Sequence, residues 1–69
     1  MKSLRKINLY KKMNVKIALA YVEGKTVVDQ EKMLCAWQFL VDTHTCWKKD
    51  LWHSYMAFTL IERNFIERS

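Results

Sequence analysis

A chain of 69 residues and 8.3 kDa has room for one small domain, which excludes two-domain enzymes, large barrels and transmembrane bundles. With 51% hydrophobic residues, one Gly and no Pro, the composition is that of an all-α domain, because hairpins and tight turns draw on Gly and Pro. Lys2, Arg5, Lys6, Lys11 and Lys12 precede Met13, so the net charge of +5 sits in the first 12 residues; the remainder balances seven basic against seven acidic side chains.

In chain order, residues 1–12 read as a basic N-terminal arm and residues 13–69 as a small helical domain. Such arms bind nucleic acid or acidic protein surfaces, and the same composition suits a solvated, frayed end. As an appendage, the arm is expected to be dispensable for folding. Leu4, Ile7, Tyr10 and Met13 do share a three-residue spacing, which would let the first helix run back into the arm as a basic amphipathic stretch. The apolar run from Ile17 to Val22 is too short for the core of a signal peptide, and Glu23 follows where a small-residue cleavage site belongs. No run approaches the ~20 apolar residues of a membrane span. The expectation is a cytoplasmic protein without a membrane partner.

The first helix is expected over about Val15 to Glu23, stopped by Gly24 in a left-handed cap. Lys25 to Val28 is a connection, and Asp29 is a good N-cap with Glu31 in the first turn. The second helix covers roughly Gln30 to Asp42. Met33, Trp37, Leu40 and Val41 form its apolar stripe, widened by Leu34, Ala36 and Phe39 until it calls for burial on more than one side. Thr43, His44 and Thr45 interrupt the pattern. A third helix runs from near Lys49 to Arg63, with Leu51, Tyr55, Phe58 and Ile61 marking one surface. Asn64 tolerates the left-handed conformation that ends a helix, and Phe65 and Ile66 can fold back behind it. The whole is a compact three-helix domain. Trp37, Trp47 and Trp52 cannot all be central in so small a core. Trp52, beside the Leu51–Tyr55–Phe58 stripe, is the one expected at the surface, where Trp is enriched at binding hot spots.

Ala20-Tyr21-Val22-Glu23-Gly24, Gln38, Leu40-Val41-Asp42-Thr43, Trp47, Ala57, Leu60-Ile61 and Ile66 form a frame that resembles a family of very small tailed-bacteriophage proteins. Its members show an A-Y-x-x-G segment, then F-Q-x-L-V-D-T-G, then W-x-L-Q-G-x-Y-G-R-x-A-x-x-L-I-x-x-G-x-I. The resemblance covers about Met13 to Ser69 and leaves the basic arm outside. His44, Leu51, Ser54 and Asn64 stand where the family has glycine, and Lys49-Asp50 replaces its L-Q pair. Those glycines would allow a tight loop, so their loss implies a more regular third helix or a lost site. The resemblance implies a phage-encoded protein acting in the bacterial host cytosol. It carries no established activity, so no functional residue is transferred.

Cys35, His44, Cys46 and His53 hold the atoms of a tetrahedral zinc site, but H-x-C is not the usual ligand knuckle and eight residues separate Cys35 from His44. Two cysteines make no disulfide framework; they read as small buried hydrophobes beside solvent-facing histidines. Cys46 with His44 or His53, and Ser54 beside His53, lack any nucleophile signature. A single glycine leaves no phosphate cradle. The expectation is therefore a non-enzymatic protein with no cofactor and no metal. The third helix carries Asp50 and Glu62 and few basic residues, which argues against sequence-specific DNA reading. The arm can still neutralise phosphates non-specifically. An aromatic-rich domain of marginal size favours protein binding. Trp52, Tyr55 and Phe58 are the expected contacts, assisted by Arg5, Lys6, Lys11 and Lys12 on the arm. The partner is expected to be a host protein or complex, by analogy of origin a host defence complex such as CRISPR, or a second copy in a homodimer. Nucleic-acid binding through the basic arm is the alternative.

Overall fold

The computed structural model describes residues 4–68, and those residues are all-helical; Lys2 of the basic arm lies outside them. A single 3-10 turn, Leu4–Lys6, precedes α1 (Asn8–Lys11), α2 (Val15–Val22), α3 (Gln30–Asp42), α4 (Thr45–Lys49) and α5 (Leu51–Glu62). The domain measures 28 × 25 × 19 Å. Three of these helices correspond to the expected ones; the division of the rest follows from local chemistry.

Helix α2 begins where the Asn14 side chain accepts the amide of Ile17. It ends in a Schellman cap at Gly24 (φ 77°), with Lys25 N–H donating to the Ala20 carbonyl and Gly24 N–H to that of Tyr21. Helix α3 starts at the Asp29 cap, whose carboxylate accepts the Lys32 amide. Asn64 (φ 63°) ends α5 in the same way as Gly24 ends α2, with Phe65 N–H reaching Leu60 and Asn64 N–H reaching Ile61. Of the two residues expected to fold back behind this cap, Ile66 is buried and Phe65 is half exposed.

The expected third helix is α5, and a short helix that the sequence pattern does not mark, α4, precedes it. His44 adopts a left-handed conformation (φ 61°) that turns the chain into α4. Asp50 is fully extended (φ −169°, ψ 178°), so α4 stops and α5 begins afresh, with the Asp50 carboxylate accepting the His53 amide as its cap. The Ser54 hydroxyl donates to the Cys46 carbonyl and fastens the two helices together.

Helix α3 is the centre of the molecule. It packs along α2 and also meets α4, α1 and the N-terminal turn. Cys35, Ala36, Trp37, Gln38, Leu40 and Val41 are all buried, which is the burial on more than one side that its wide apolar band requires. Ala18, Ala36 and Ala57 have no exposed surface and let neighbouring helices approach closely. Val22, Cys46, Ile61, Met13 and Ile66 complete the core.

Residues 4–12 are not an appendage. Leu4, Ile7, Leu9 and Tyr10 pack against the core, and Arg5 grips Asp42 at the end of α3 through two hydrogen bonds of 2.8 and 2.7 Å. The Tyr10 hydroxyl donates to the same carboxylate. The buried amide of Gln38 donates to Asp42 (3.2 Å) and to the Glu67 carbonyl (2.7 Å), while its oxygen accepts the Glu67 amide (2.7 Å). Arg5 also donates to the Arg68 carbonyl at 3.3 Å. The two ends of the described chain are thus clasped around one carboxylate.

Candidate protein-binding face on the last helix

Helix α5 is apolar nearly all the way round, so its sequence leaves its orientation open. In the folded chain His53, Ala57 and Ile61 face the core. Leu51 (88% exposed), Tyr55 (67%) and Phe58 (48%) face outward. The Leu51–Tyr55–Phe58 stripe is therefore a surface feature, and only Ile61 of the expected stripe belongs to the core. The three site residues expected from sequence, Trp52, Tyr55 and Phe58, all lie on the exposed side of one helix. Trp47 and Phe65, partly exposed at either end of α5, add apolar surface.

His53 sets this rotation. Expected at the surface, it is 4% exposed. Its Nδ1 lies 2.8 Å from the Asp50 carboxylate and its Nε2 lies 3.1 Å from Glu23 at the end of α2. Burial would raise the Glu23 carboxyl, but Lys25, Lys49 and His53 together hold it below the usual range. The His53 amide, then its ring, lower that of Asp50. The Trp52 ring stands edge-on to the His53 ring at 4.7 Å and 89°, and its centroid is 5.9 Å from that of buried Trp37. Trp52 is therefore half anchor and half surface: its inner edge is fixed by two buried rings and 48% of it is exposed.

Of the other candidates, Cys35, Cys46 and Ser54 are taken up by packing or by a backbone hydrogen bond. Burial pushes the Cys46 thiol up to about 11 and also raises that of Cys35. His44 is exposed, whereas both cysteines are buried and free. Ser54 directs its hydroxyl to a backbone carbonyl rather than to His53. Among the described residues, no three His, Cys, Asp or Glu side chains are grouped so as to hold a metal ion. No described helix is long and apolar enough to cross a membrane.

The basic residues divide. Arg5 is committed to Asp42 and, at 3.5 Å, to Glu67. Lys6, Lys11 and Lys12 are exposed and meet no carboxylate within ion-pair distance among the described residues. Sequence reasoning missed Gln38, Asp42 and Glu67 as a polar cluster. The one signal was a Gln and an Asp four apart on an otherwise apolar helix.

No protein-family model, curated protein or solved structure matches the chain.

Proposed function

We propose that this chain is a non-enzymatic binding protein whose docking surface is the outer face of α5, centred on Trp52, Tyr55 and Phe58. One observation carries the reading. A helix that is apolar all round belongs inside a protein, yet one whole side of α5 carries Leu51, Trp52, Tyr55 and Phe58 in the open. Contiguous exposed apolar patches of this kind mark interaction sites, and Trp and Tyr are the residues that most often dominate them. The resemblance to small phage proteins extends the proposal to a host protein or complex in the bacterial cytosol, with interference with host defence as the outcome. Lys6, Lys11 and Lys12, which meet no carboxylate among the described residues, favour a second reading in which this segment contacts nucleic acid non-specifically; Arg5 takes no part in it.

The test is capture from bacterial lysate with the tagged chain and its Tyr55→Glu variant, with and without nuclease, at low and high salt. Tyr55 is preferred to Trp52 because Trp52 also braces Trp37 and His53. The expected result is a protein partner that survives nuclease and high salt and is lost at least tenfold with Tyr55→Glu, while helix content by circular dichroism is unchanged. Capture unaffected by Tyr55→Glu would remove α5 from the interface. Material lost with nuclease or salt would move the function to the lysine-bearing segment.

A further inference from the structure

We infer that the lysine-bearing segment from Lys6 to Lys16 binds the phosphate backbone of double-helical DNA without reading its sequence. The inference rests on the second reading of that segment, as a nucleic-acid contact, and is independent of the α5 face.

Charge is the first observation. Residues 4–22 hold Arg5, Lys6, Lys11, Lys12 and Lys16 and no Asp or Glu; the first acidic residue is Glu23. Arg5 is committed to Asp42. The four lysines are all exposed, and none meets a carboxylate within ion-pair distance among the described residues. Elsewhere the cations are balanced. Lys25 and Lys49 reach Glu23, and Arg68 reaches Glu62. Lys32 and Arg63 directly follow Glu31 and Glu62, and Lys48 is two residues from Asp50.

Placement is the second. Asn8, Lys11 and Lys12 stand at i, i+3 and i+4, and the Lys12 N–H still donates to the Asn8 carbonyl at 3.2 Å, so they share one side of α1. All three are exposed, while Ile7, Leu9 and Tyr10 pack on the core. Lys16 lies in the first turn of α2, which has no acidic residue to offset the positive end of its dipole. It is two residues from buried Ala18 and therefore on the far side of that helix. Only four residues of chain separate Lys12 from Lys16, which keeps their Cα atoms within ~14 Å. The lysines thus stand on folded elements that Arg5 and Tyr10 clasp to α3, and binding does not have to order a free tail.

The surroundings of the lysines select the form of the nucleic acid. Single strands are gripped by exposed aromatic rings on which bases stack. Tyr10, the aromatic residue among these lysines, stands edge-on to Phe39 at 5.8 Å and gives its hydroxyl to Asp42. Tyr21 is half-buried. Charge alone is left to act, and it favours the polymer of higher charge density: a duplex carries one charge per ~1.7 Å of axis, a strand one per ~3.4 Å. Duplex RNA is held through 2′-hydroxyls as well as phosphates, and the Asn14 side-chain oxygen beside the lysines is already committed to capping α2.

Fluorescence anisotropy of a labelled DNA duplex of about 20 base pairs, titrated with the full chain at about 20 mM salt, gives the test. A single strand and an RNA duplex of the same length are run beside it. Four lysine contacts predict a log–log salt slope of about −3 to −4, a loss of roughly 100- to 600-fold in affinity between 20 and 100 mM salt. The DNA duplex should bind at least fivefold more tightly than the single strand and no more weakly than the RNA duplex. Lys11→Gln with Lys12→Gln should weaken binding at least tenfold and reduce the slope by about 1.8. Lys32→Gln with Lys48→Gln removes the same net charge elsewhere and should stay within about threefold of the parent chain; circular dichroism checks that each variant is folded. Equal weakening by the two pairs overturns the inference, since the chain would then act through its net charge. A single strand bound as tightly as the DNA duplex, or an RNA duplex bound more tightly, overturns the assignment to duplex DNA while the second reading stands. No binding to any probe overturns both and leaves the α5 reading untouched.

Discussion

Asp42 is the residue on which most of the molecule's polar order converges. It accepts from Arg5, Tyr10 and Gln38, and its side chain is only 16% exposed. Asp42→Asn removes the charge while keeping the shape. Hydrogen bonds to charged groups contribute about 1.5–3 kcal/mol each to stability, so the substitution should lower unfolding free energy in urea by about 2 kcal/mol or more. Burial alone would raise the Asp42 carboxyl, but Arg5 and Tyr10 outweigh it and hold it below its ordinary value. The stability it supplies is thus present above the usual carboxylate range, near ~3.9, and is lost as pH falls through the depressed value. Tyr10 acts at the other limit. Burial, then the bond to Asp42, raises its phenol from 10.0 to about 12, so its contribution is intact below pH ~10 and is lost as pH climbs to about 12. Tyr10→Phe should flatten this alkaline limb, which a urea titration at stepped pH would reveal. An unchanged limb in the variant would show that Tyr10 is not the group responsible.

Among the elements, α3 was legible in the sequence almost to the residue. Asp29 supplies a cap, the apolar band is wide, and Thr43 and His44 end it; each signal is local and all agree. The rotation of α5 was not legible. Its apolar residues occur on every side, so periodicity offers no preference, and the choice is made by His53 engaging Glu23, 30 residues away in the chain. Helix α4 is not legible either: Thr43, His44 and Thr45 read as a break after α3, and nothing in the pattern marks Thr45–Lys49 as a helix of its own ahead of the Asp50 cap. His44 carries a further local feature. It is exposed, in the left-handed region at φ 61°, where an L-residue other than Asn or Asp is strained by roughly 1–2 kcal/mol. His44→Gly removes that strain at an entropic cost of about 0.5–1 kcal/mol, so a gain of about 0.5–1 kcal/mol in urea unfolding is expected. His44→Val should instead destabilise, since a branched side chain tolerates positive φ poorly; the reverse order would mean that the His44 side chain itself stabilises the turn.

For the whole molecule, the correction that matters most concerns the N-terminal segment. Its lysines made it look like a tail, but the apolar residues between them pack on α3 and its arginine is an internal ion-pair partner. The clasp joins residues 32, 37 and 62 positions apart, and no local pattern announces contacts at such range. Deleting residues 1–12 takes away four partly buried apolar side chains, Leu4, Ile7, Leu9 and Tyr10. At roughly 1 kcal/mol for each half-buried side chain, the loss is about 4 kcal/mol, comparable to the ~3–5 kcal/mol available to a domain of this size. The truncated chain should show no cooperative thermal transition at 25 °C or above, followed by circular dichroism. A melt like that of the full chain would return the segment to the role of an appendage.

The same clasp has a kinetic meaning. The pairing of Arg5 with Glu67 and Arg68 closes a loop of nearly the whole chain, at an entropic cost of about 4 kcal/mol for some 60 residues, whereas α2–α3 and α4–α5 close short ones. A folding nucleus built from those neighbouring helices comes first, and the ends are tied only once the rest is in place. Contacts made after the transition state govern how fast a protein comes apart and have little influence on how fast it forms. Asp42 and Gln38 therefore act as a latch: they lengthen the life of the folded chain without hastening its arrival.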